Sequence, residues 1–240
     1  MTEGRNIEQF RAPTVETTPE TSIESVLERG EIERVEQLEG YFPTKAVKLK
    51  DDGQAIFRET SYDSEQSKHR FLRSKLELLA AGIDKRLRFG LVPPVVARTI
   101  EGNIGILQER IFAKVASEIT NWEYSVDSSW LVKAAVFDYL IGNRDRHSGN
   151  FLIDSGTGRI WLIDHDYLSL IVGGSEKTEI LDKARDKNLT QLSKDIKESL
   201  GFLLADIDSL KQETDDIEIS YFIEKVKTRT QELLNTGTLA

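Results

Sequence analysis

The sequence predicts an α+β protein whose two halves differ in kind. Three patterns carry that expectation: strand-like runs around turn signals before residue 110, a leucine repeat at helical spacing between 65 and 88, and helical periodicity that dominates after Ser128. Residues 1–20 are rich in Thr, Glu and Pro and poor in apolar side chains, so they cannot repay the entropy of ordering and read as a mobile arm. From Ser22 to Leu38 the apolar positions Ile23, Val26 and Leu27, then Ile32, Val35 and Leu38, interrupted by Gly30, predict a short helix, a break and entry into a strand. Two strands should follow around a DDG turn, with Ala46, Val47 and Leu49 before it and Ala55, Ile56 and Phe57 after.

Leu72, Leu76, Leu79, Ile83 and Leu87 then mark one face of a helix that Gly90 and the Pro93-Pro94 pair end. VVARTI and NIGILQERI form a further strand pair around Glu101-Gly102-Asn103, completing a small α+β unit. Ser128 or Ser129 is placed to cap a helix through Trp130, Ala134, Phe137 and Ile141, which Gly142-Asn143 closes. The loop NRDRHSGN leads into a hairpin, FLID and RIWLID around SGTG. Beyond Gly173-Gly174 lie two amphipathic helices, one through Leu189, Leu192, Ile196, Leu200 and Leu203, the other through Ile219, Phe222, Val226 and Leu233.

Composition narrows the functional classes. With 240 residues, 39% hydrophobic and 8% aromatic, the chain should bury roughly 70% of its unfolded surface, which excludes disorder of the whole. No run of about eighteen apolar residues offers a membrane span. The balance of 32 Lys+Arg against 41 Asp+Glu gives a net charge of -9, against general affinity for nucleic acid or anionic lipid. Zero cysteine excludes disulfides, a thiolate nucleophile and Cys-ligated metal. The N-terminus lacks the pattern of a secretory signal, so the expected location is intracellular and cytoplasmic.

The chemistry-bearing span is NRDRHSGNFLIDSGTGRIWLIDHD, Asn143 to Asp166. A hairpin brings the loop before its first strand close to the end of its second, so Asp145, Asn150 and Asp164 should converge. Phosphoryl transfer needs such a set: a carboxylate to orient the substrate hydroxyl, and an amide oxygen and second carboxylate to hold divalent ions on the phosphates. Hard oxygen ligands point to Mg or Mn rather than zinc. The plainer reading makes Asp145, Gly149 and Asn150 turn residues and lets Asp164 to Asp166 merely end a strand. Against it, Asp164 follows the apolar run IWLI, where a carboxylate is poorly placed without a partner.

FDYLIGNRDRHSGNFLI followed by IWLIDHD resembles the catalytic and metal-binding loops of the phosphatidylinositol 3-/4-kinase-like branch of the protein-kinase fold, with its DRHxxN motif and later Asp in the DFG position. GQAIFRE and LELLAAGIDKRLRFGLVPPVVAR are similar to the N-lobe of the secretory casein kinases. The resemblance spans roughly residues 38 to 168 and implies a bilobal protein-kinase-like fold: a small β-rich N-lobe with one long helix over 21–110, and a mostly helical C-lobe over 111–240. It implies Asp145 as catalytic base, Asn150 and Asp164 as metal ligands, and His147 as a residue that shapes the loop or touches a phosphate, the alternative being a purely structural histidine. His165 is expected to pack or cap. Glu77 matches the helix glutamate that pairs with the phosphate-binding lysine, although a lone Glu on a helix flank is usually solvated. Gln108 and Glu109 fall at the hinge, where adenine of ATP would bind through backbone groups.

The pattern departs from the family on the third strand, where Phe57-Arg58 replaces Phe-Lys; Arg is forked and planar where Lys is a compact point charge. Lys48 or Lys50 offers an alternative cation from the preceding strand. EGYFPT stands at the phosphate-covering loop with only Gly40. Three functions remain open: an ATP-dependent kinase for a hydroxyl on a protein Ser/Thr, an inositol-type head group or another small molecule; a pseudokinase that binds nucleotide without transfer; and a metal-dependent phosphohydrolase built on Asp145, His147, Asp164, His165 and Asp166.

Overall fold

The structure is a computed structural model that describes residues 22–38, 44–50, 52–60, 65–143, 145–165, 178–212 and 217–239, the side chains of 65–71, 212, 217 and 218 excepted. The expected arm, the stretch 39–43, the Gly173-Gly174 break, Asp166 and the His69 side chain lie outside the described residues.

A short helix α1 (Ile23–Arg29) is capped by Ser22, whose hydroxyl accepts the Ser25 amide at 3.1 Å. Five strands follow, β1 (Ile32–Leu38), β2 (Thr44–Leu49), β3 (Gln54–Glu59), β4 (Val95–Ile100) and β5 (Asn103–Glu109). They form one antiparallel sheet in the order β1-β2-β3-β5-β4. The β4–β5 turn places Glu101 and Gly102 at φ of 52° and 83°, the left-handed pair that matches strand twist in a two-residue hairpin, and Lys45 holds the Glu101 carboxylate at 2.8 Å. One sheet face buries Val47, Leu49, Ala55, Phe57 and Leu107 with Leu27 of α1. By strand alternation, Ala46, Lys48, Ile56, Arg58 and Gln108 share the other face.

The long helix α2 (Glu65–Leu87) follows the sheet's first three strands in sequence, yet its leucine face belongs to the larger core. Leu76, Leu79, Ala80, Ile83 and Leu87 pack with side chains of the second half of the chain. Its far end is fixed by the buried Asp84, which accepts the Leu91 and Val92 amides at 2.9 and 3.0 Å. Burial pushes the Asp84 carboxyl up to about 6, with those two amides and Arg159 acting in the opposite sense. The folded chain therefore retains a proton that the unfolded chain loses between about pH 4 and pH 6, so this group makes stability fall as pH rises through that window. Asp84→Asn should remove that slope. Thermal unfolding across pH 4–6 should show the wild type losing several degrees of Tm relative to the variant as pH rises, and parallel curves would count against this assignment.

A second sheet joins β6 (Lys114–Val115), β7 (Phe151–Asp154) and β8 (Arg159–Leu162), the last two forming the hairpin expected around SGTG. Asp154 organises its turn by accepting the Gly156 amide and the Thr157 hydroxyl at 2.9 and 2.8 Å. Between β6 and β7 runs α3 (Ser128–Ile141), apolar nearly all round and buried accordingly. Its cap is Asp127 rather than either serine: Asp127 has the extended backbone a cap requires, and its carboxylate accepts the Ser129 amide and hydroxyl at 2.8 and 2.5 Å. Gly142, at φ 59°, ends the helix.

The rest is helical: α4 (Glu179–Asp186), α5 (Lys194–Asp206), α6 (Ser209–Gln212) and α7 (Ile217–Thr236). The stripe from Leu189 to Leu203 is not one helix. Asn188, left-handed at φ 56°, terminates α4; Gln191 bridges to Thr238, and α5 starts only after its Ser193 cap. The result is a bilobal α+β arrangement, a β-rich first region and a mostly helical second one. No helix among the described residues is long and apolar enough to cross a membrane.

Candidate active site

The loop 143–150 leaves the C-terminal end of α3 and enters β7, and its shape is set by a residue that sequence reasoning passed over. Arg146 is fully buried; its Nε donates to Asp138 on α3 at 3.1 Å, while Nη1 donates to the Asn150 and Ile163 carbonyls, the latter at 2.7 Å. One guanidinium therefore ties α3, the loop end and the strand exit at β8 together. Thr178 adds a hydrogen bond to the second Asp138 oxygen at 3.3 Å. Burial pushes the Asp138 carboxyl up, and the adjacent Arg146 charge opposes that rise. A readable signal existed: Asp138 is the lone acid within the apolar run LVKAAVFDYLI, and a buried acid needs a cation.

Around this anchor, the buried Asn143 accepts the Asp145 amide at 2.9 Å. Asn150 donates its amide nitrogen to the Asp145 carbonyl at 2.8 Å and to the Asp145 carboxylate at 3.4 Å. That orientation leaves the Asn150 side-chain oxygen as an acceptor. Glu179, in the first turn of α4, braces the loop from outside by accepting the Ser148 amide at 2.7 Å and the Trp122 indole at 2.9 Å. His147 is exposed: its Nδ1 accepts the Gly149 amide at 3.0 Å and its Nε2 lies 4.0 Å from Asp145.

The strand exit is next. The Ile163 amide donates to the Asn150 carbonyl at 3.2 Å, which holds the strand exit against the end of the loop. Asp164 has φ 62°, a left-handed conformation uncommon outside glycine and one that aspartate tolerates better than most residues. His165 is buried edge-on against Phe137 and turns its backbone N–H and Nδ1 onto Glu77, at 2.7 and 3.0 Å. Glu77 reaches back to Arg58 on β3 at 3.1 Å. Burial alone would raise the Glu77 carboxyl; His165 and then Arg58 overcome it and hold the group down at about 2. The glutamate is thus no solvated flank residue but the ionised link between the sheet and the Asp164 loop.

Contacts join Arg58 through Glu77 to His165, and Ile163 through Arg146 and Asn150 to Asp145, with Asp164 standing between His165 and Ile163 in the chain. Residues 104–182, about a third of the chain, match the family model of phosphatidylinositol 3- and 4-kinase. Among solved structures, the chain is similar to a Golgi casein kinase, at 16% identity and a TM-score of 0.53 over 88% of this chain and 73% of that one. A Helicobacter pylori proinflammatory kinase, CtkA, is similar at 14% identity and a TM-score of 0.46 over 88% and 94%. The solved-structure likeness shows a kinase-like fold, and the match to the phosphatidylinositol 3- and 4-kinase family model is confined to residues 104–182. No curated protein matches its sequence.

Within this kinase fold the remaining expected residues divide. Gln108 shares the sheet face of Arg58, is buried, and accepts from Arg58 Nη2 at 3.4 Å. Glu109 points to the opposite face, into a groove of about 590 Å³ shared with Asp84, Arg159 and Trp161, and burial raises its carboxyl. Its backbone amide is donated to Pro94 and that of Arg110 to Gln54, at 2.8 and 2.9 Å. Lys48 shares the face of Arg58 but pairs in register with Gln54, four residues away along β3, and its ammonium is held by Glu33 at 2.8 Å. Lys50 is paired with Glu31. The structure therefore gathers Arg58, Glu77 and Gln108 in one cluster and Asp145, His147 and Asn150 in another, and sets Lys48 and the Glu109 carboxylate apart from the Arg58 cluster.

Proposed function

We propose that the chain is an ATP-dependent phosphotransferase that moves the γ-phosphate to a hydroxyl, in first place that of a protein Ser or Thr, with an inositol-type head group as the other hydroxyl class. The observation that supports this reading is a pair of contact networks, Arg58–Glu77–His165 and Ile163–Arg146–Asn150–Asp145, whose ends flank Asp164 in the sequence. The Asn150 and Asp164 oxygens suit Mg or Mn, and ions held there would offset the charge of the phosphates. Asp145 orients the attacking hydroxyl and takes its proton as the oxygen bonds to the γ-phosphorus. The bond to the β–γ bridging oxygen breaks and ADP departs. Arg58, one third exposed, presents its remaining N–H groups to the phosphates. Because the Glu109 and Arg110 amides are already engaged, backbone recognition of the base falls to carbonyls there or to amides further along.

The phosphohydrolase reading is disfavoured by where one of its histidines goes: His165 is buried, with its Nδ1 committed to Glu77. The pseudokinase reading rests on a specific feature, Arg58 in place of lysine. Incubation with γ-labelled ATP and Mg or Mn, beside Asp164→Ala, separates the two. Label transferred to protein by the wild type and lost in the variant supports transfer; protection of the wild type from heating by ATP without any turnover supports the pseudokinase.

A further inference from the structure

We propose that Gln108 is a positioning residue for Arg58, the two together replacing the single lysine of the third strand; the inference rests on the phosphotransferase reading above. Arg58 stands directly across from Ile106 in the β3–β5 register, which makes Gln108 its diagonal neighbour on the same face, within reach of a long side chain. The guanidinium fork is held at two points on two elements: Nη1 on Glu77 of α2 at 3.1 Å, Nη2 on Gln108 of β5 at 3.4 Å. Arginine is donor only, so it fixes the Gln108 amide with Oε1 toward Arg58 and Nε2 away; Nε2 has no partner among the described residues. A buried amide held by one bond costs stability, and the bond this one keeps is the one to Arg58.

What that bond does follows from the shape of the cation. Lysine offers one nitrogen, and an ammonium placed on Glu77 needs no second acceptor. A planar fork pinned only by Glu77 can still swing about that contact, whereas a second acceptor fixes its plane and directs the other N–H groups to the cleft. Glu77 already accepts from Arg58 and from both donors of His165, so most of its roughly four acceptor sites are in use. Arg58→Lys alone should therefore not restore a conventional site; it would leave the buried Gln108 amide without any partner.

The test is binding of a fluorescent ATP analogue with Mg or Mn, alongside γ-phosphate turnover and thermal unfolding, for Gln108→Met, Gln108→Glu, Arg58→Lys and Arg58→Lys/Gln108→Met. Gln108→Met, similar in length but without the acceptor, is expected to weaken nucleotide binding about tenfold with little loss of Tm, and Gln108→Glu, which keeps an acceptor, to recover most of that loss. The double variant should bind no worse than either single one. Binding by Gln108→Met within about twofold of wild type, or losses that multiply in the double variant, would overturn the pairing while leaving the phosphotransferase reading standing. A wild type that neither binds nor turns over nucleotide overturns both. Should Gln108→Met fail to fold, Gln108→Asn, too short to reach Arg58, carries the same comparison.

Discussion

Arg146→Met is expected to lower stability by about 3–5 kcal/mol, seen in denaturant unfolding and as a fall in Tm of roughly 10 °C. The expectation follows from what is left behind rather than from the bond lost. Asp138 would remain fully buried without the adjacent guanidinium, keeping the Thr178 hydrogen bond, and the Asn150 and Ile163 carbonyls would lose their shared donor. Arg146→Met/Asp138→Leu removes both charges and should regain much of the loss, because a buried pair exchanged for apolar groups is often nearly neutral. Recovery of stability without recovery of transfer would identify Arg146 as the residue that holds Asn150 and Asp164 in register. A single variant within about 1 kcal/mol of wild type would contradict this account of the loop.

Asp145→Asn is expected to reduce the rate of transfer by about 10²–10⁴-fold while sparing nucleotide binding. Asparagine preserves the size of the side chain and can still face the Asn150 amide, but it cannot take the substrate proton. Asp164→Ala should differ in kind, since it removes an ion ligand and so weakens metal-dependent nucleotide binding itself. Equal loss of binding in both variants would mean that the two carboxylates do not divide the work as proposed.

Most of this geometry was legible where sequence pattern and tertiary demand agree. The leucine face of α2 and the turn of the β7–β8 hairpin were specified locally, as was the meeting of Asn150 with the strand exit at Ile163, because a hairpin's two ends must meet. What escaped depended on choices the local sequence leaves balanced. Asp127, Ser128 and Ser129 are all competent caps, and only backbone conformation selects among them. The stripe from Leu189 to Leu203 keeps helical spacing, yet pairing with the C-terminal residues 237–239 overrides it. Arg146 looked like one more charge in a charged loop, and Lys48 like a free cation; partners distant in sequence decided both.

The leucine face of α2 also determines which part of the molecule can give way. Lifting that helix would expose Leu76, Leu79, Ile83 and Leu87, each worth about 1.5–3 kcal/mol in burial, a sum comparable with the stability of a whole domain. Glu77 is therefore a stationary post, and the contact it makes with Arg58 is gained or lost only by travel of the sheet. Control of this cleft would act on the plate that carries β3, with α2 serving as its fixed doorframe.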